Sequence, residues 1–184
     1  MEKEKDDISQ FTMTYGAILG IILVIISVLL YLLGLMKFNI LMSVVILLIN
    51  VAVVVTVVVI GTKRYRNDIL EGYIDFGKAF LVGLLIVVFS SVLTTFYNVV
   101  FNTFIDPEYY DRTIEATKEW TGNFMYSKGV PEEQIDEVLE QMGSREKPSV
   151  VSMILGGLVT GAIGGAIISL ITAAILKKEP FDSQ

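Results

Sequence analysis

Four stretches of this chain, Phe11 to Leu35, Ile40 to Ile60, Ala79 to Phe101 and Val150 to Leu176, contain no Asp, Glu, Lys or Arg. A helix crosses a hydrocarbon core of roughly 30 Å with about 20 residues, so each stretch is long enough to span a bilayer. A water-soluble domain has nowhere to hide this much apolar surface: 53% of the 184 residues are hydrophobic, 18% are charged, and the mean hydropathy is +0.65. The β-branched run Val51 to Ile60 reads as a strand in water, but the apolar stretch around it is far longer than a strand of about 5 or 6 residues. An open strand in lipid would leave its backbone groups unpaired, so helix is the spanning form. The expected fold is an all-α integral membrane protein, a bundle of four transmembrane helices with an extracytoplasmic loop that contains two short amphipathic helices.

Charge sets the expected topology. The leader Met1 to Asp7 is more acidic than basic, and the apolar run after it is too long for a signal peptide, so the first stretch is expected to be retained. The chain then divides into a tail (1–10), helix (11–35), helix (40–60), basic loop (61–78), helix (79–101), acidic loop (102–149), helix (150–176) and tail (177–184). The short connection Met36 to Asn39 makes the first two helices antiparallel neighbours. Both termini share a side with Lys63, Arg64, Arg66 and Lys78, and that side holds 8 of the 14 Lys and Arg in short segments. The positive-inside rule makes it cytoplasmic.

Residues 102–149 carry eleven acidic and five basic residues, so the whole net charge of −6 is extracytoplasmic. Asp106-Pro107 fits an N-cap followed by Pro at the first helical position, with a helix to about Tyr126. Gly129 breaks the chain and Pro131 opens a second helix. In it Ile135, Val138, Leu139 and Met142 recur at i, i+3, i+4, i+7, with Glu132, Glu133, Asp136, Glu137 and Glu140 on the other side. The apolar face must bury against the first loop helix or bind a membrane or periplasmic protein partner. An acidic helix does not suit an anionic lipid surface.

In the last helix Gly157, Gly161, Gly165, Ser169 and Ala173 follow at four-residue intervals. Lipid provides no hydrophobic drive between helices, so close backbone approach over small residues is what joins them. The third helix has a weaker stripe, Ala79, Gly83, Ser91 and Thr95, broken by Val87, and the first has Gly16 and Gly20. Packing within one bundle is the leading reading; a homodimer through the last helix is the alternative, and a pore lined by small residues the third.

Intramembrane polar residues are sparse: Asn50 in the second helix, Asn98 and Asn102 late in the third, and Ser90, Ser91, Thr94 and Thr95 between. Asn50 is expected to form an interhelical hydrogen bond. The chain has no His and no Cys, and no acid lies in a span, which removes imidazole and thiolate chemistry, Cys/His zinc sites and buried proton relays. No catalytic residue, cofactor or metal ligand is assigned. The acidic row Glu133, Asp136, Glu137, Glu140 reads as a solvated face, since nothing resembles a calcium-binding loop. No nucleic-acid partner is expected; the bilayer is the chain's solvent.

Several local sequences carry a family resemblance: the acidic leader, Gly72-Tyr-Ile-Asp-Phe-Gly-Lys-Ala-Phe80, Ile105-Asp-Pro-Glu-Tyr109, and a glycine-rich last helix ending in Lys177-Lys178. With these the chain resembles a bacterial family of four-span membrane proteins, domain of unknown function 4199. The resemblance implies a bacterial cytoplasmic membrane and this topology, and brings no activity with it. The functional expectation is a non-enzymatic scaffold or accessory subunit of a membrane complex, with a small oligomeric transporter or channel as the alternative. An enzyme acting on lipid has only Tyr109, Tyr110, Asp111 and Arg112 as a polar cluster near an interface.

Overall fold

The computed structural model describes residues 2–35, 40–144 and 146–178. The connection 36–39, with Lys37, and the tail beyond Lys178 lie outside the described residues. Among the described residues six α-helices follow in order: α1 (Glu2–Leu32), α2 (Ile40–Arg64), α3 (Phe76–Val100), α4 (Tyr109–Ser127), α5 (Glu132–Gly143) and α6 (Val150–Leu176). Four of them, α1, α2, α3 and α6, are long and apolar enough to cross a membrane, and the chain is an all-helical, multi-pass membrane bundle.

The helices outrun the apolar stretches that mark them. Residues 1–10, expected as a tail, are helical from Glu2, with no Gly or Pro before Gly16 to stop the helix. At its far end α1 closes earlier than Leu35: Gly34 takes φ +65°, and Leu35 donates its N–H to the Leu30 carbonyl. The expected loop 61–78 is largely helical. In it α2 runs to Arg64 and continues as a π-helical turn, Tyr65–Ile69, while α3 begins at Phe76 and not at Ala79. Asp75 causes that early start, its carboxylate accepting the N–H of Lys78 at 2.9 Å. A second π-helical turn, Phe101–Ile105, ends α3. Each widened turn opens on a buried aromatic ring, Tyr65 or Phe101.

The axis of the bundle is α3, flanked by α1 and α6 along its length, with α2 packed more loosely. Although α1 and α2 are successive, α1 lies mainly on α3, running parallel to it. Gly16 and Gly20 make this possible: a Cβ there would stand 2.5 Å from Phe89 Cβ and 3.0 Å from Leu93 Cβ. The core, Leu19, Val58, Tyr65, Ala79, Val82 and Ile86, occupies the half of the bundle nearer the chain termini.

Two ties close this terminal end. Ile74 and Lys178 exchange backbone hydrogen bonds at 2.9 and 2.8 Å, and Arg66 donates to the Leu176 carbonyl, one of the acceptors left unpaired where α6 ends. The opposite end carries α4 and α5, which fold against each other as a helical hairpin. Gly129, at φ +75°, makes the turn between them, and Pro131 precedes the first turn of α5.

Candidate functional site

Three arrangements concern the polar and small residues singled out by sequence. The first is the α3–α6 interface. The pairs Thr95–Gly157, Ser91–Gly161, Val87–Gly165 and Gly83–Ser169 step along the two antiparallel helices four residues at a time. A Cβ at Gly157 would lie 2.3 Å from Thr95 Oγ1, at Gly161 2.4 Å from Ser91 Cβ, and at Gly165 2.9 Å from Val87 Cβ. Val87, which interrupts the stripe of α3, sits opposite Gly165, so its bulk fills the space that glycine leaves. The same register sets Ala79 opposite Ala173, both buried. This face of α6 is thus covered by α3 of the same chain, and a homodimer built on it would have to displace α3.

The second arrangement is a cleft between α1, α2 and α3 at the hairpin end. Its volume is about 560 Å³, and its walls include Ser27, Ser43, Asn50, Thr94, Tyr97 and Asn98 among Leu23, Leu30 and Ile46, with Tyr109 and Thr113 of α4 at its rim. Asn50 and Asn98, on different helices, line this one space. The interhelical bond expected of Asn50 is not formed: its Nδ2 donates 2.8 Å to Ile46 O, one turn back in its own helix. Asn98 does the same to Thr94 O at 2.9 Å, and Asn102 to Asn98 O at 2.8 Å. A smaller cavity of about 260 Å³ lies beyond Asn98, between α3 and α6, lined by Thr95, Asn102, Tyr110 and Lys147.

Aromatic rings gather beside the cleft. Phe101 is nearly buried and meets Tyr31 edge-on at 5.0 Å, Tyr97 at 5.7 Å and Tyr109 edge-on at 5.4 Å. The Asp106 side chain does not cap α4 as expected; its buried carboxylate pairs with Arg112, one turn into the helix. That bond raises the Arg112 pKa above the ordinary arginine value. Lys147 donates to the Pro107 carbonyl, so both ends of the hairpin are joined at its base.

The third arrangement is the hairpin. Ile135 is buried, and Val138, Leu139 and Met142 are half-buried, so the apolar face of α5 is taken up by α4, where Leu139 lies against Gly122. These four residues are therefore core positions of the hairpin and not a free binding face. Glu132, Glu133, Asp136, Glu137 and Glu140 are exposed, and among the described residues no three carboxylates converge as metal ligands. On α4, Trp120 and Phe124 stack at 5.2 Å and Lys128 lies over the Phe124 ring at 5.6 Å, all exposed.

The profile of the family described as "Protein of unknown function (DUF4199)" matches residues 14–178. The chain belongs to this family. Two of the segments that carry the family resemblance have visible work in the fold, Asp75 capping α3 and Asp106 holding α4. No curated protein and no solved structure matches the chain.

Sequence reasoning passes over Ser27, Ser43, Tyr97 and Thr113 as cleft residues. A signal is present: Leu23, Ser27 and Leu30 on α1, and Ser43, Ile46 and Asn50 on α2, fall at helical spacing on one face each. What the spacing lacks is the knowledge that those two faces meet.

Proposed function

We propose that the chain is a non-enzymatic scaffold or accessory subunit of a bacterial cytoplasmic-membrane complex. The terminal end faces the cytoplasm, as Lys63, Arg64, Arg66, Lys177 and Lys178 favour. The α4–α5 hairpin faces outward and presents its acidic side to a basic partner protein. One observation carries this reading: α5 spends its apolar face on α4, leaving five exposed carboxylates in the segment that holds the chain's entire net charge of −6. Such a face steers a basic surface toward it and fixes its orientation. Chemical crosslinking in membranes followed by purification tests this directly. A partner recovered with the native chain, and lost when Asp136, Glu137 and Glu140 are changed together to Lys, supports the reading; a partner whose recovery ignores the charge reversal removes the hairpin from it.

A second reading, a small oligomeric transporter, is favoured by the polar groups that Asn50 and Asn98 bring to one cleft. Within one chain the cleft meets a filled terminal half, where Leu19, Val58, Val82 and Ile86 are 0% exposed. A transport path therefore requires a second copy. Solute flux into liposomes that falls with Asn50→Ala would favour this reading over the first.

A further inference from the structure

We infer that the cleft between α1, α2 and α3 is a binding site for an uncharged amphiphile taken from the bilayer, with its hydrogen-bonding group held by Asn50 and Asn98 and its apolar chain along Leu23, Leu30 and Ile46. This goes beyond the partner reading and does not depend on it. The cleft, at about 560 Å³, has the size of a small-molecule site and the matching character of a mostly apolar wall with a few polar groups.

The polar groups define the chemistry. Each asparagine amide bonds its own helix through Nδ2, so its carbonyl oxygen remains to accept a hydrogen bond. Ser27, on α1, adds a hydroxyl to the same lining. Unpaired polar groups at membrane depth are costly unless a ligand or water meets them. Two carbonyl acceptors and a hydroxyl select a ligand that donates, such as one bearing hydroxyls. Among the described residues that line the cleft there is no Asp, Glu, Lys or Arg, so a phosphate headgroup would meet no counter-charge from them. The nearby Arg112 is already engaged by Asp106. The closed terminal end and the ring cluster around Phe101 confine the ligand to the half of the membrane next to the hairpin.

The test uses the full-length chain in lipid nanodiscs with a monoacylglycerol that carries a photoreactive diazirine in its acyl chain. Label is expected on peptides spanning Leu23–Leu30 and Thr94–Asn98, displaced by unlabelled monoacylglycerol and not by the lysophosphatidic acid of the same chain length. Asn50→Leu and, separately, Asn98→Leu should each lower the label by about tenfold, the scale of one buried hydrogen bond left unmade. Ser27→Leu, which fills the cleft from α1, should abolish it. Ile163→Ala, on the lipid-facing side of α6, should leave it unchanged. Equal displacement by the charged lipid, label spread evenly over α6, or full label in folded Asn50→Leu and Asn98→Leu proteins would each overturn the assignment.

Discussion

Gly161 and Ser91 meet so closely across the α3–α6 interface that a methyl group on the glycine would lie 2.4 Å from Ser91 Cβ. The contact is repeated one turn to either side, at Gly157 and Gly165, so it describes a whole helix face. In lipid this approach replaces the hydrophobic drive that would join helices in water.

Substitution of α6 should therefore depend on the face. Gly161→Leu is expected to lower stability by about 1–3 kcal/mol or more through overpacking against α3. Gly156 and Gly164 are on the same helix but face open space, with no atom of another described helix within 4 Å of where a Cβ would stand. Gly156→Ala and Gly164→Ala should be neutral or stabilise by up to about 1 kcal/mol, the difference in helix propensity. Thermal or denaturant unfolding in detergent distinguishes the two classes.

Two buried hydroxyls, on Thr62 and Ser169, have no hydrogen-bond partner among the described residues. Removing an unsatisfied buried hydroxyl forfeits no bond and relieves a desolvation cost of about 1–3 kcal/mol. Thr62→Val, which keeps the side chain's shape, should hold or raise the melting temperature, and Ser169→Ala should do the same. A marked loss in either would show that the hydroxyl has work in the folded bundle.

The Asp106–Arg112 pair anchors the first turn of α4. Because Asp106 raises the Arg112 pKa, that cation's contribution is fully present below its unfolded value and fades only as pH climbs past the folded one. Arginine thus confers no pH dependence on the anchor in the physiological range. Asp106→Asn removes the ion pair, and faster amide exchange at Tyr109–Thr113 with an unchanged melting temperature is the expected result. Unfolding of the whole bundle by this substitution would contradict an anchor confined to the hairpin.

The spans are legible in the sequence because a bilayer demands length and the absence of charge. Helix ends are not: hydropathy marks the apolar part of a helix, while Asp75 and Arg64 lie beyond it on the same helices or their caps. The register of α3 on α6 can be anticipated from small residues four apart. Val87 looks like an interruption because one helix alone does not show the glycine that faces it. The hairpin is readable from Gly129, Pro131 and the spacing of Ile135, Val138, Leu139 and Met142, yet the partner of that apolar face is not. Asn50 misleads for a related reason. A mid-span amide can bond a neighbour or its own preceding turn, and Asn50, which lines an open cleft, takes the second. The cleft is walled by several helices, so no single one of them encodes it.

The most direct measurement on the partner reading places a photoreactive amino acid at Asp136, on the acidic side of α5, and in a second protein at Ile163, on the lipid side of α6, with irradiation in native membranes. The predicted result is one discrete protein adduct from Asp136, reduced by raised salt, and none of that adduct from Ile163. No protein adduct from Asp136, or the same adduct from both positions, would contradict a partner bound through the hairpin.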